Sequence, residues 1–195
     1  MNRERVLTLK RLPQEDICQS LGFPSARKYQ KAGGPGIGQI MELLRESDDP
    51  IQDRETFFRA QIFYFLIGAS DGHAKNFSLQ LGRRGRFRLA PLYDILSVAP
   101  VVYAGRLQSK RYRHAMSIDG HYGIDEIVPR HFEAEGKTCG LPRNRALELL
   151  SDMADGLGPA LERTKLSLGD QVPGSISDPI ITDSMQRADQ VRKVL

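Results

Sequence analysis

Apolar residues recur at helical three-and-four spacing in segment 57–69, at Phe58, Ile62, Phe65, Leu66 and Ala69, with little polar surface anywhere around them. The pattern predicts a buried central helix. Its start is marked by Asp49 as a cap, Pro50 at the first helical position and Gln52 three residues after the cap. A membrane span needs ~20 apolar residues. This segment is far shorter and carries Arg59 and Gln61, so it reads as core. Downstream, residues 77–81 and 86–89 alternate as two strands about Gly82-Arg83-Arg84-Gly85.

The rest of the pattern is helical. Residues 39–44 read as a helix after the glycine-rich stretch 33–38, and a helix opens at Pro129 that should end before Cys139-Gly140. From Pro142, the apolar positions Ala146, Leu147, Leu149, Leu150, Met153, Leu157 and Leu161 predict one long helix or a pair broken near Gly156 and Gly158. Residues 169–175 read as a loop, and Ser177-Asp178-Pro179 as the start of a last helix with Pro179 in its first turn. The expected fold is mainly α with a small β-hairpin (α+β), a helical bundle forming one domain over residues 1–195.

Between the central helix and the hairpin lies the chemistry. Asp71 and Asn76 fall in Ser70-Asp71-Gly72-His73-Ala74-Lys75-Asn76-Phe77, and Asp94 follows the hairpin in Pro91-Leu92-Tyr93-Asp94. An acid, an amide five residues on and a second acid beyond a two-strand excursion is the layout of kinase-type phosphotransferases. Phosphoryl transfer is mostly positioning and charge neutralisation, and hard oxygen ligands such as those of Asn and Asp suit Mg²⁺. The plain alternative is that Asp-Gly simply makes a turn. A metal hydrolase using Asp71 and Asp94 is a third reading, weakened by the absence of histidine and acid spacing for a second metal.

Several stretches together resemble one family. Arg11-Leu12-Pro13-Gln14-Glu15-Asp16, Lys28-Tyr29, Gly33-Gly34-Pro35-Gly36-Ile37, Leu66-Ile67-Gly68, the 71–78 loop and Pro91-Leu92-Tyr93-Asp94-Ile95-Leu96-Ser97 are similar, in this order, to HipA, the serine/threonine kinase toxins of bacterial toxin-antitoxin pairs. The resemblance runs from about Asn2 to the helices near Ala160. It implies a protein-kinase-like C-terminal large lobe, with Asp71 as catalytic base and Asn76 and Asp94 as Mg²⁺ ligands that hold ATP. It also implies an antitoxin partner of the HipB type, a protein substrate, contact with DNA only through the antitoxin, and growth arrest by inhibited translation. The family's small lobe, with its phosphate loop and lysine, is not expected within these residues. A complete enzyme would therefore need that lobe. The alternative is a non-catalytic truncated or split lobe that binds an antitoxin or a separately encoded small lobe.

Composition changes this picture little. The net charge is +4 with a pI near 9.2. Arg83, Arg84, Arg86, Arg88, Arg106, Lys110, Arg111 and Arg113 gather much of the positive charge around the hairpin and the loop after it, read first as a solvated face and otherwise as a surface for a phosphorylated substrate, nucleic acid or an acidic partner. Gly33–Gly38 before a helix has the look of an anion-binding turn, but no Gly-Lys-Ser/Thr follows and Pro35 removes a donor, so it reads as a structural loop. The two cysteines, Cys18 and Cys139, read as reduced and structural, which with no leader pattern points to a cytoplasmic protein with no membrane association. The histidines, His73, His114, His121 and His131, show no metal-ligand spacing. His73 alone lies inside the acidic loop, where it either orients Asp71 or packs.

Overall fold

In the computed structural model, which describes residues 11–108 and 112–195, the Asp49 carboxylate accepts a hydrogen bond from the Gln52 amide at 3.3 Å and opens helix α3 (Pro50–Leu66). Pro50 takes the first position, where a missing N–H costs nothing. Phe57, Phe58, Ile62, Tyr64, Phe65 and Leu66 are all buried, so α3 is enclosed on nearly every side. The Phe57 ring meets Phe77 edge-on at 4.9 Å, and Phe65 meets Phe132 at 5.4 Å. Each fully buried aromatic or aliphatic side chain contributes about 1.5–3 kcal/mol, which makes α3 the axis of the core.

Before α3 come β1 (Gln14–Asp16), α1 (Ile17–Ser20) and α2 (Ile37–Leu43). After it come β2 (Ser78–Leu81), β3 (Phe87–Leu89), α4 (Ala99–Tyr103), β4 (Arg113–Ile118) and β5 (His121–Gly123). Helices α5 (Pro129–Thr138), α6 (Arg145–Leu168) and α7 (Gly174–Val194) complete the described residues. The expected hairpin is present as β2 and β3, paired antiparallel with Leu79 opposite Leu89. It is the centre and edge of a three-stranded sheet, because β1 pairs antiparallel with β2, Glu15 opposite Leu79. A second, two-stranded sheet joins β4 to β5. The small β content is thus larger than one hairpin. The three-residue β1 is too short to show a period and finds its partner more than sixty residues away.

Of the two readings of the segment after Pro142, one long helix or a broken pair, the structure takes the first, as α6. Gly156, Gly158 and Pro159 all lie inside one continuous helix. Packing against α7 outweighs their roughly 1 kcal/mol (Gly) and 3 kcal/mol (Pro) penalties. Arg192 on α7 bonds the Ala154 carbonyl at 2.5 Å and the Asp155 carboxylate at 3.1 Å. Helix α7 also starts earlier than expected, at Gly174, so Pro179 sits inside it and the loop shortens. Pro173 ends that loop, and its carbonyl accepts from the amides of Ile176 and Ser177. No helix among the described residues is long and apolar enough to cross a membrane.

Candidate active site

Helix α3 ends at Leu66, and Gly68 turns the chain with φ +69°. A side chain there would be strained and would meet the Tyr112 hydroxyl at 2.7 Å, so glycine is required. The chain then makes an excursion that closes on itself. Ala69 bridges Ser97, and the Val98 amide donates to the Gly68 carbonyl at 2.9 Å. Asp71, Asn76 and Asp94 all lie on this excursion.

Asp71 is half-exposed at the surface. Its Oδ1 accepts a 2.7 Å hydrogen bond from the Tyr29 hydroxyl. Its backbone carbonyl accepts from Asn76 Nδ2, also at 2.7 Å. That bond folds the segment between them into a tight loop and fixes which way the buried amide faces. The Asn76 Oδ1 carries no hydrogen bond among the described residues, so an oxygen is left to bind elsewhere. The loop is held from outside as well. The Ala74 amide donates to the Lys28 carbonyl at 3.2 Å, and Lys75 Nζ reaches Ser25 Oγ at 2.7 Å. Under the loop, Gly72 lies against the Tyr64 ring, where an added Cβ would come within 2.7 Å.

Asp94 is brought back by its neighbour. The Tyr93 hydroxyl donates to the Lys75 carbonyl at 2.9 Å and lies 2.5 Å from Ser78 Oγ, which clamps the 91–94 segment onto both ends of Asn76's turn. Asp94 itself has φ +55°, a left-handed conformation that non-glycine residues rarely adopt. Such strain collects at functional sites. Burial, with the Asp94 and Asp71 carboxylates nearby, pushes the Tyr64 hydroxyl up to about 12. That hydroxyl is buried and has no hydrogen-bond partner among the described residues. The same two carboxylates pull on His73. Burial lowers its pKa below the ordinary imidazole value against the upward pull of Asp71, so the ring is neutral at pH 7. His73 Nε2 stands 3.8 Å from Asp71 Oδ2, too long for a hydrogen bond, and the ring packs edge-on against Tyr29. Packing describes His73 better than orientation.

The structure therefore brings together the residues that sequence reasoning singled out, and adds Tyr29, Tyr64 and Tyr93. A metal ion fits the donor set: a free Asn76 Oδ1 and an exposed Asp94 carboxylate are hard oxygens of the kind Mg²⁺ takes. The motif around Gln14, Glu15 and Asp16 is structural. Asp16 caps α1 in a reciprocal pair with Gln19, and β1 completes the sheet that carries Asn76's downstream strand. The glycine stretch 33–38 likewise serves as a loop leading into α2, capped at Gly36. The basic stretch is partly neutralised. Arg86 pairs with Asp48 at 2.9 Å and Arg88 with Asp53 at 3.0 Å, whereas Arg83, Arg84 and Arg106 are exposed. Lys110 and Arg111 lie outside the described residues.

This is a kinase-like fold, mainly helical with small antiparallel sheets. Residues 2–160 match the HipA-like C-terminal domain, and the chain belongs to that family. It is 36% identical over 159 residues to a Sinorhizobium fredii protein named "Putative kinase Y4mE", covering 79% of this chain and 36% of that one. It is 26% identical over 164 residues to the serine/threonine-protein kinase toxin HipA of Shewanella oneidensis, again covering 36% of that protein. The HipA, HipB and operator DNA complex of Shewanella oneidensis MR-1 contains a chain of the same fold, with a TM-score of 0.83 and 22% identity over 99% of this chain and 47% of that one. The chain thus spans between a third and a half of the length of these proteins.

Proposed function

We propose that this chain is the catalytic large lobe of a HipA-type serine/threonine protein kinase that, when complete, transfers the γ-phosphoryl group of ATP to a protein hydroxyl. The observation that carries this reading is the tight Asp71–Asn76 loop, closed by the 2.7 Å bond from the Asn76 amide to the Asp71 carbonyl, with Asp94 clamped beside it through Tyr93. In this reading the Asp71 carboxylate accepts the proton of the attacking hydroxyl. The Tyr29 hydroxyl, already hydrogen-bonded to Asp71 Oδ1, marks where such a hydroxyl sits. Asn76 and Asp94 would hold Mg²⁺, which supplies charge neutralisation at the phosphates. The buried, neutral His73 and the Tyr64 ring form the floor that keeps the loop from collapsing.

By the same reading, the protein partner is an antitoxin of the HipB type. Support comes from the family and from the HipA neighbour, whose solved complex contains HipB and operator DNA. Phosphorylation then leads to arrested translation in the cytoplasm, as the family resemblance implies. The test is calorimetric titration of ATP with Mg²⁺ into the chain, alone and together with the remaining part of a HipA-type kinase. Binding and transfer lost in Asp71→Ala or Asp94→Ala with the fold intact support the reading. Transfer that survives Asp71→Ala overturns the assignment of the base, and absence of nucleotide binding in both forms leaves a non-catalytic partner-binding lobe.

A further inference from the structure

Helix α3 ends in a motif that leaves one of its last carbonyls over. The Ile67 amide donates to the Phe63 carbonyl at 3.0 Å, the Gly68 amide to Phe65 at 3.3 Å and the Ala69 amide to Tyr64 at 2.8 Å. The last two are the crossed bonds of a glycine-ended helix. The Leu66 carbonyl has no place in that pattern and finds its donor 121 residues away, in Arg187 Nη1 of α7, at 3.2 Å. A cation there also meets the negative end of the helix dipole.

Arg187 is buried and its guanidinium is held on several sides. Nη2 donates to Asp183 Oδ2 at 2.5 Å, and the group lies over the Tyr112 ring, 5.7 Å from its centroid. Gly68 completes the seat. A Cβ at that position would fall 3.0 Å from Asp183 Oδ2 and 3.1 Å from Arg187 Nη1, so the ion pair packs directly against the turn. The carbonyl of the same glycine accepts from Val98 and closes the excursion that carries Asp71, Asn76 and Asp94. The α7 pair and the neck of the site therefore meet at one residue, with Asp71 three positions further on. A buried ion pair is a weak source of stability, and apolar side chains of similar volume often serve as well. They cannot supply a rigid fork of donors with one prong on a carboxylate and the other on a backbone carbonyl.

We infer that Arg187 is a positioning residue of the phosphoryl-transfer site proposed above, an inference that rests on that reading: by holding the Leu66 carbonyl and the Gly68 turn, it sets where Asp71 stands. It acts through the backbone. Displacing a catalytic group by about 1 Å can cost on the order of 100-fold in rate, so a fixed exit from α3 matters more to the chemistry than to the stability of the lobe. The group comes from α7, beyond the residues 2–160 matched to the family. The last helix is thus part of the site's support as well as of the bundle.

The experiment replaces the ion pair as a unit, Asp183→Leu with Arg187→Met, so that no single buried charge is stranded. Two readouts are taken well below the unfolding midpoint. The first is the NMR signal of Tyr29 Cζ, assigned by its loss in Tyr29→Phe, which senses the bond to Asp71 and needs no phosphoryl transfer. The second is steady-state kinetics of the chain together with the remaining part of a HipA-type kinase. The Tyr29 signal should move toward its position in Asp71→Ala, and kcat should fall by about 10–100-fold with KM for ATP little changed. In Arg187→Ala, millimolar guanidinium should restore both, whereas Arg187→Lys, with a single point charge, should fall short of the parent. If the double variant fails to fold, Arg187→Ala with and without guanidinium decides by the same two readouts. A Tyr29 signal that stays in place, or a parental kcat in an active kinase, would overturn the inference and leave the pair a structural brace. A Tyr29 signal that moves while no form transfers phosphate would overturn the kinase reading and leave the hold of Arg187 on Asp71 standing.

Discussion

The hydroxyl of Tyr29 is hydrogen-bonded to Oδ1 of Asp71 at 2.7 Å, across 42 residues of sequence. That bond pushes the Tyr29 hydroxyl up to about 12, with burial and the Asp71 charge adding to it. Tyr29→Phe should therefore remove one of the phenols that titrate above the ordinary tyrosine value, and should cost roughly 1 kcal/mol or less of stability because the pair is exposed. Spectrophotometric titration and urea unfolding check both. In a complete kinase, the same variant leaves Asp71 free and should alter KM for the protein substrate more than kcat.

Gly72→Ala places a methyl carbon within 2.7 Å of the buried Tyr64 ring. The ring cannot retreat into a packed core, so the loop must move instead. A loss of about 1–3 kcal/mol is expected, measured by denaturant unfolding, with weaker Mg²⁺-dependent nucleotide binding because Asp71 and Asn76 shift together.

Asp94 is held at φ +55°. Glycine adopts that conformation without strain, so Asp94→Gly should leave stability unchanged or raise it by up to about 1 kcal/mol, while abolishing metal-dependent nucleotide binding. Asp94→Ala should lose the same binding without the gain. Paired unfolding and calorimetry measurements on the two variants separate strain from ligation.

Asp53 in α3 is buried, and its Oδ2 accepts from the Leu89 amide at 3.1 Å and from Arg88 Nε at 3.0 Å. Asp53→Ala leaves the buried Leu89 amide without its acceptor. A cost of about 2–3 kcal/mol is expected, together with faster hydrogen exchange at Leu89, because this carboxylate ties β3 to the core helix.

Acid sensitivity should have an identifiable source. Burial, with help from the Arg187 charge, pushes the fully enclosed His114 down to about 4. Its unfolded value is near 6.5, so between these limits the unfolded chain binds the extra proton. Stability from this group is complete above pH 6.5 and falls as pH drops toward 4, by on the order of 3 kcal/mol in total. His114→Phe, placed between Phe65 and Tyr112, should flatten that part of the stability–pH curve relative to the parent chain.

Much of this was legible before any coordinates. Helix α3 was readable to its capping residue, because Asp49-Pro50 and the apolar run act locally. Helix α5 likewise began at Pro129 and stopped before Cys139 as expected. The turn carrying Asp71 and Asn76 and the hairpin before Asp94 were readable because turn residues and strand alternation act over a few positions. What stayed hidden is nonlocal. Nothing near Tyr29 announces that its hydroxyl reaches Asp71, and β1 pairs with a strand far along the chain. No local spacing shows that β5 and a separate helix, α5, stack His121 against His131. For α6 the sequence left one long helix and a broken pair both open, because packing against α7 and not local propensity decides between them.

The bridge between Ala69 and Ser97 makes the stretch between them a closed cassette: both acids sit near its neck, and the exposed turn at Gly82–Arg86 is its far tip. Lengthening a loop costs little, about 0.6 kcal/mol per doubling. Extra residues can therefore be grafted at that tip, to carry a recognition element or a reporter, while the neck keeps Asp71 and Asp94 in register.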